Sequence, residues 1–167
     1  MKTNQQGSKP VLTQTQNNTT LWVGHLQSDP NGRLAGQTFE CPAEGVLNNI
    51  QIMASAVSQE GEVMLTLHEF DPESKTWGPA IADSQRDVEK KDQAHWISFD
   101  LQPVSLRKDS VYGFRLQSEN ALIGIGEAAS HARQPFSFGH AWSSRSSHDQ
   151  GNFFRYFSLA FKVEMCA

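Results

Sequence analysis

The chain has no long apolar run, almost no cysteine and no basic stripe, and each shortage removes a class of protein. No stretch approaches the roughly 20 apolar residues of a membrane-spanning helix, so no membrane insertion is expected. Two cysteines, Cys41 and Cys166, are too few for a disulfide framework. Cys41 reads as a small buried hydrophobe in a strand and Cys166 as an exposed thiol, with pairing between them left open. Charged residues are 19% of the 167 positions and the net charge is −4. Lys90-Lys91 is surrounded by acidic residues, so nucleic acid is not an expected partner. The N-terminus carries Lys2 but no apolar segment of the kind found in a secretory leader.

Chemical motifs are equally sparse. The six histidines, His25, His68, His95, His131, His140 and His148, show no His-Glu-x-x-His spacing, and there is no Cys-x-x-Cys, so zinc is not expected. Asp29, Asn31, Asp71 and Glu73 are oxygen donors in turns and would suit calcium better, although Asp-Pro turns need no ion. No cofactor is therefore assigned. There is no Gly-x-Ser-x-Gly elbow and no phosphate loop, and Gly124-Ile125-Gly126 lacks a following helix. No pair of carboxylates stands out for glycoside hydrolysis. An enzyme is not the expected reading.

What the chain does have is period-two alternation. Val63–Phe70, His95–Leu101 and Phe157–Val163 each place aliphatic or Phe side chains on one face, as strands with one buried side do. Thr20–His25, Gln37–Cys41, Val46–Val57, Ala80–Arg86, Ser110–Ser118, Ala121–Gly126 and Phe136–Trp142 read as further strands, and Phe153–Glu164 as the last. Ser58–Gly61 and Glu119-Asn120 read as the turns of two hairpins. Asp71–Pro79 and Glu127–Pro135 read as loops, 103–109 as a connection with Leu106 plugging the core, and 87–93 as a loop or a single helical turn. Residues 1–18 are polar and read as a flexible tail, leaving one domain over 19–167. About ten strands and no convincing amphipathic helix predict an all-β protein, a two-sheet antiparallel β-sandwich.

Two frames carry a resemblance. Gln37-Thr38-Phe39-Glu40-Cys41-Pro42-Ala43-Glu44-Gly45-Val46-Leu47 leads to Ile50, and Trp96-Ile97-Ser98-Phe99-Asp100-Leu101-Gln102-Pro103-Val104 leads through Leu106 to Tyr112. Gly139-His140-Ala141-Trp142 and the aromatic strand ending at Val163 follow. Across about residues 36–164 the chain resembles bacterial jelly-roll modules of the galactose-binding-like kind, often attached to secreted carbohydrate-active or cell-surface proteins. The resemblance implies jelly-roll topology, a carbohydrate or small polar ligand and an extracellular or cell-surface address. The fold hosts many tasks, so it does not by itself fix the function.

The candidate site comes from the second face of each strand. If Ile97, Phe99 and Leu101 face the core, Trp96 points away; the same rule turns His68 and Phe70, and Phe154 and Tyr156, outward. Sugars stack on such rings while polar neighbours take their hydroxyls. The plainer reading, favoured by the pattern, is that loops cover these rings to form a second small core. Trp77 and Trp142 adjoin loops, where binding residues gather, and either could instead cap the core. His140, Arg145 and His148 could donate to a polyol or a carboxylate. The expected ligand set is Trp96, Trp142, His140, Tyr156, His68 and Arg145. The alternative is a structural or assembly subunit, a homo-oligomer pairing through the aromatic face or the weak strand at Ala80–Arg86.

Overall fold

A computed structural model describes residues 7–24, 32–130, 133–145 and 151–167. Among these, thirteen strands form: β1 (Ser8–Gln14), β2 (Thr19–Gly24), β3 (Leu34–Glu40), β4 (Gly45–Gln59), β5 (Gly61–Asp71), β6 (Thr76–Val88), β7 (His95–Leu106), β8 (Val111–Gln117), β9 (Leu122–Ala129), β10 (Ala141–Ser144), β11 (Asn152–Phe154), β12 (Phe157–Leu159) and β13 (Phe161–Cys166). One 3-10 turn spans Lys90–Asp92. No helix among the described residues is long and apolar enough to cross a membrane.

The strands make two antiparallel sheets packed face to face, the predicted β-sandwich. The seven-stranded sheet runs β1-β13-β4-β9-β12, with β7 also on β4 and β2 also on β9. The six-stranded sheet runs β11-β10-β3-β8-β5-β6. Alternating residues from both sheets fill the core: Ile50 and Ile52 of β4, Ile97 and Phe99 of β7 and Phe161 of β13 on one side, Phe39, Leu65, Leu67 and Phe114 on the other, all fully buried. Each such side chain contributes roughly 1.5–3 kcal/mol by leaving water. Leu106 is fully buried at the core's end, as expected.

Two expected hairpins are corrected. β4 and β5 belong to different sheets, and so do β8 and β9. In both cases the short connection crosses between the sheets rather than turning back within one. The period-two pattern is the same either way, because both strands point their apolar sides at one core. β5 instead forms a hairpin with β6, with Phe70 opposite Trp77 across Asp71–Lys75. The expected loop at Asp71–Pro79 is thus partly strand.

Five further corrections concern strand bounds. Residues 8–14 of the expected tail form β1, which pairs with β13 and inserts Leu12 and Gln14 into the interior. Backbone pairing supplies what its polar composition does not. β7 runs on to Leu106, and β9 to Ala129, beyond their expected ends. The short strand near Trp142 begins only at Ala141, and the closing segment breaks into β11, β12 and β13, which serve both sheets. Cys41 is buried, Cys166 is half-buried, and both are free thiols.

Candidate functional site

The expected outward residues divide between two opposite surfaces. His68 and Trp142 lie on the outer face of the six-stranded sheet, while Trp96 lies on the outer face of the seven-stranded sheet, beside Met53. Period two says which side of its own strand a residue occupies, not which sheet the strand joins. Trp96 therefore shares no platform with the others. Its ring is half-buried, with the Lys162 ammonium 4.3 Å from its centre.

On the six-stranded sheet the register builds one row across the strands. Phe153 faces Trp142, Trp142 faces Gly36, Gly36 faces Arg115, and Arg115 faces Thr66. Gly36 has no side chain, so the residues on either side of it meet above it. Trp77 reaches this row from the sheet's far edge. The Asp71 carboxylate accepts the Glu73 backbone N–H at 3.0 Å and the Ser74 hydroxyl at 2.8 Å, which closes the turn. Two register shifts in the β5–β6 ladder follow, around His68. Trp77 then lies across the sheet, and a Cβ on Gly113 would come within 2.5 Å of its ring. Gly113 is thus a close-approach glycine, which alone admits the indole.

The result is an aromatic cluster around a cation. Trp77 meets Trp142 at 5.3 Å and Phe70 at 5.2 Å, and it stacks near-parallel to Phe153. The Arg115 guanidinium carbon stands 4.4 Å from the Trp77 ring centre and 4.7 Å from that of Trp142. Among the described residues the Arg115 side chain makes no ion pair or hydrogen bond, and its Nε is buried without a partner, as is Trp77 Nε1. Burial lowers the Arg115 pKa from its ordinary value.

Two imidazoles flank the cluster. His68 Nδ1 donates to the Gly78 carbonyl at 2.8 Å, which leaves Nε2 to accept from the Thr66 hydroxyl, also at 2.8 Å. Burial lowers the pKa of His68, and the charge of Arg115 lowers it further. His140 precedes β10 and is tied to Thr38 through its backbone, its N–H donating to the Thr38 hydroxyl at 3.1 Å. Burial lowers its pKa, and then Lys75 and Arg155 act in the same direction.

Of the other expected residues, Tyr156 lies in the turn between β11 and β12, 42% exposed, with Arg155 5.9 Å from its ring. Arg145 is exposed just past β10. His25, His131, His148, Asp29 and Asn31 lie outside the described residues. Trp142 is fully buried, so it offers no face to a ligand and instead holds Arg115 in place. Phe70 and His68 are also covered, as the second-small-core reading anticipated. Arg115 and the two glycines were not singled out from sequence. Gly113 inside the expected strand Ser110–Ser118, and Gly36 one position before Gln37–Cys41, were the available signal.

A second feature is a cleft of about 700 Å³ at one end of the sandwich, between the β1–β2 connection, the end of β9 and residues 133–137. Four of its lining amides, those of Gln14, Asn17, Asn18 and Gln134, are bonded within the protein. The Asn18 amide donates to the Ala129 carbonyl, and Gln14 to the Gln16 and Leu159 carbonyls. Glu127 is buried on the inward side of β9, the side of Ile123 and Ile125, and desolvation pushes its carboxyl up to about 7. Among the described residues no group of three or more potential ligands could hold a metal ion, and Asp71 is engaged in its turn. No protein-family model matches this chain, and no curated protein matches it in sequence.

Proposed function

We propose that the protein is a non-catalytic module that binds carbohydrate, of the jelly-roll, galactose-binding-like kind its strand frames resemble. It takes its ligand on the outer face of the six-stranded sheet. The observation that supports this most is the Arg115 guanidinium held over two indoles with no partner for its donors among the described residues. Half-buried Trp77 and Phe153 supply apolar ring surface, and His140, Lys75 and Arg155 supply donors around it. Apolar walls with a few placed polar groups are what a small-ligand site needs.

The assembly alternative is less well supplied. Strand β6 is the end of its sheet, but the Gln102 side chain accepts the Asp83 backbone N–H at 3.0 Å, and Arg86 donates to the Ser98 carbonyl at 3.1 Å. The Gln102 bond caps a backbone donor on the edge that strand addition would use, and the Arg86 bond ties that edge to β7. A glycan array followed by calorimetry tests the reading. Binding should weaken by roughly five- to a hundredfold in Trp77→Ala, given the ~1–3 kcal/mol that a ring anchor carries, and stay unchanged in Trp96→Ala. Silence across the array, with light scattering that shows a concentration-dependent oligomer, would transfer the function to assembly.

A further inference from the structure

We infer that the saccharide taken on this face is acidic, and that Arg115 receives its oxyanion. The inference rests on the carbohydrate reading above and specifies the ligand's charge. It follows from a cation held without an ionic partner on an otherwise acidic chain. The whole protein is net acidic, at −4. Yet the Arg115 guanidinium, 4.4 and 4.7 Å from two indole centres, makes no ion pair among the described residues, while its charge acts on His68 and those of Lys75 and Arg155 act on His140. The carboxylate that shares Arg115's row is Asp83, opposite Thr66 and so two strands away, roughly 9–10 Å at the usual strand spacing. Asp83 accepts from the Gln102 amide at 3.2 Å and makes no ion pair with Arg115.

The donors a ligand can reach are the terminal N–H groups of Arg115, which have no partner among the described residues and are not buried. The cluster's two buried atoms without partners, Arg115 Nε and Trp77 Nε1, are both donors. The guanidinium is planar, and the indoles above which it sits fix that plane before any ligand arrives. A fixed guanidinium presents parallel N–H groups that match the two oxygens of a carboxylate or a sulfate ester. A neutral sugar would leave that charge unmet in a half-buried setting, where ionic interactions are stronger than in water. An oxyanion on a pyranose places the sugar ring beside Trp77 and Phe153 and the negative group at Arg115. Lys75 and Arg155 are exposed and add a field that screens with salt.

The experiment is an array of neutral and acidic glycans, followed by calorimetry on its binders. Inorganic sulfate and oligogalacturonate with its methyl ester run alongside. Binders confined to uronate- or sulfate-bearing glycans support the inference, and the ratio of carboxylated to sulfated binders says which oxyanion fits. Esterification should then weaken binding about tenfold or more, as loss of a charge-assisted pair does. Arg115→Lys should weaken it about as much, because the ammonium keeps the charge but not the planar fork. Lys75→Asn with Arg155→Gln lies on exposed positions and should cost a few-fold in low salt and almost nothing in high salt. Neutral binders that are indifferent to Arg115→Lys overturn the inference and leave the carbohydrate reading intact. Inorganic sulfate bound as tightly as any acidic glycan also overturns it, since the site would then hold an anion without a sugar. Silence across the whole array removes both readings.

Discussion

The two outer faces of this sandwich are built by the same alternation and end in opposite chemistry. On the seven-stranded sheet the outward residues of β4 and β13 bond to one another. The Gln51 amide donates to Asn49 Oδ1, and the Asn49 amide to Asn48 Oδ1 and to Glu164 Oε1, which also accepts from the Ser8 hydroxyl. Its Trp96 sits under the Lys162 ammonium. On the six-stranded sheet the outward positions hold Trp77, Trp142, Phe153 and Arg115, with two buried donors left over. A face whose polar groups satisfy one another has little to offer a ligand. A face that buries rings and leaves its donors open has both surface and unmet hydrogen bonds.

The largest break in the comparison should come from the two tryptophans that look alike in sequence. Trp142→Ala should cost about 3–5 kcal/mol in urea unfolding, as for any large buried aromatic, because it empties the space between Trp77 and Phe153. Trp96→Ala removes a half-exposed ring and one surface cation contact, and should cost about 1 kcal/mol. Equal losses would mean that the outer face of the seven-stranded sheet is also a packed layer.

A smaller effect separates the sheets by pH. His68 and His140 have lowered pKa values, so the stability tied to their neutral forms is present above the ordinary histidine value and is lost as the pH falls through the folded one. Glu127, on the seven-stranded sheet, shifts the other way. Its carboxyl is raised to about 7, so its contribution is complete below the ordinary carboxylate range and is lost as the pH rises toward 7. Glu127→Gln should therefore raise stability at pH 8 by about 2–3 kcal/mol and leave it nearly unchanged at pH 4. Denaturation curves at the two pH values check this. An equal gain at both would show that shape, not charge, is the cost of Glu127.

Much of this was legible in the residues and some was not, for definable reasons. The inward sets of Val63–Phe70 and His95–Leu101 were readable because burial on one side imposes period two. The partners of β5 and β9 were not readable. A short polar connection such as Glu119-Asn120 can fold back or cross between sheets without any change in which side chains face inward. That one ambiguity placed His68 and Trp96 on a single imagined surface. β1 was hidden because its ladder to β13 is made by backbone, which composition does not report. Arg115 was hidden because an arginine in a strand reads as a solvated residue. Its place is set by Gly36 and Gly113, whose missing side chains let Trp77 and Trp142 close over the sheet.

The smallest effect bears most directly on what Arg115 is for. If the guanidinium is a structural rung between two indoles, Arg115→Met should destabilise the fold by about 2 kcal/mol, the upper range of a desolvated cation–π contact. If it is held ready for an oxyanion, the free protein carries a partly desolvated cation and a buried donor without a partner, each unfavourable by roughly 1–3 kcal/mol. Methionine keeps the apolar contact with Trp77 and Trp142 and removes both liabilities. The expected result is a stability change within about 1 kcal/mol of zero, of either sign, together with loss of binding to acidic glycans. A residue that can be removed at almost no cost to folding, yet is gripped by two fully or half-buried tryptophans, is placed for something outside the chain.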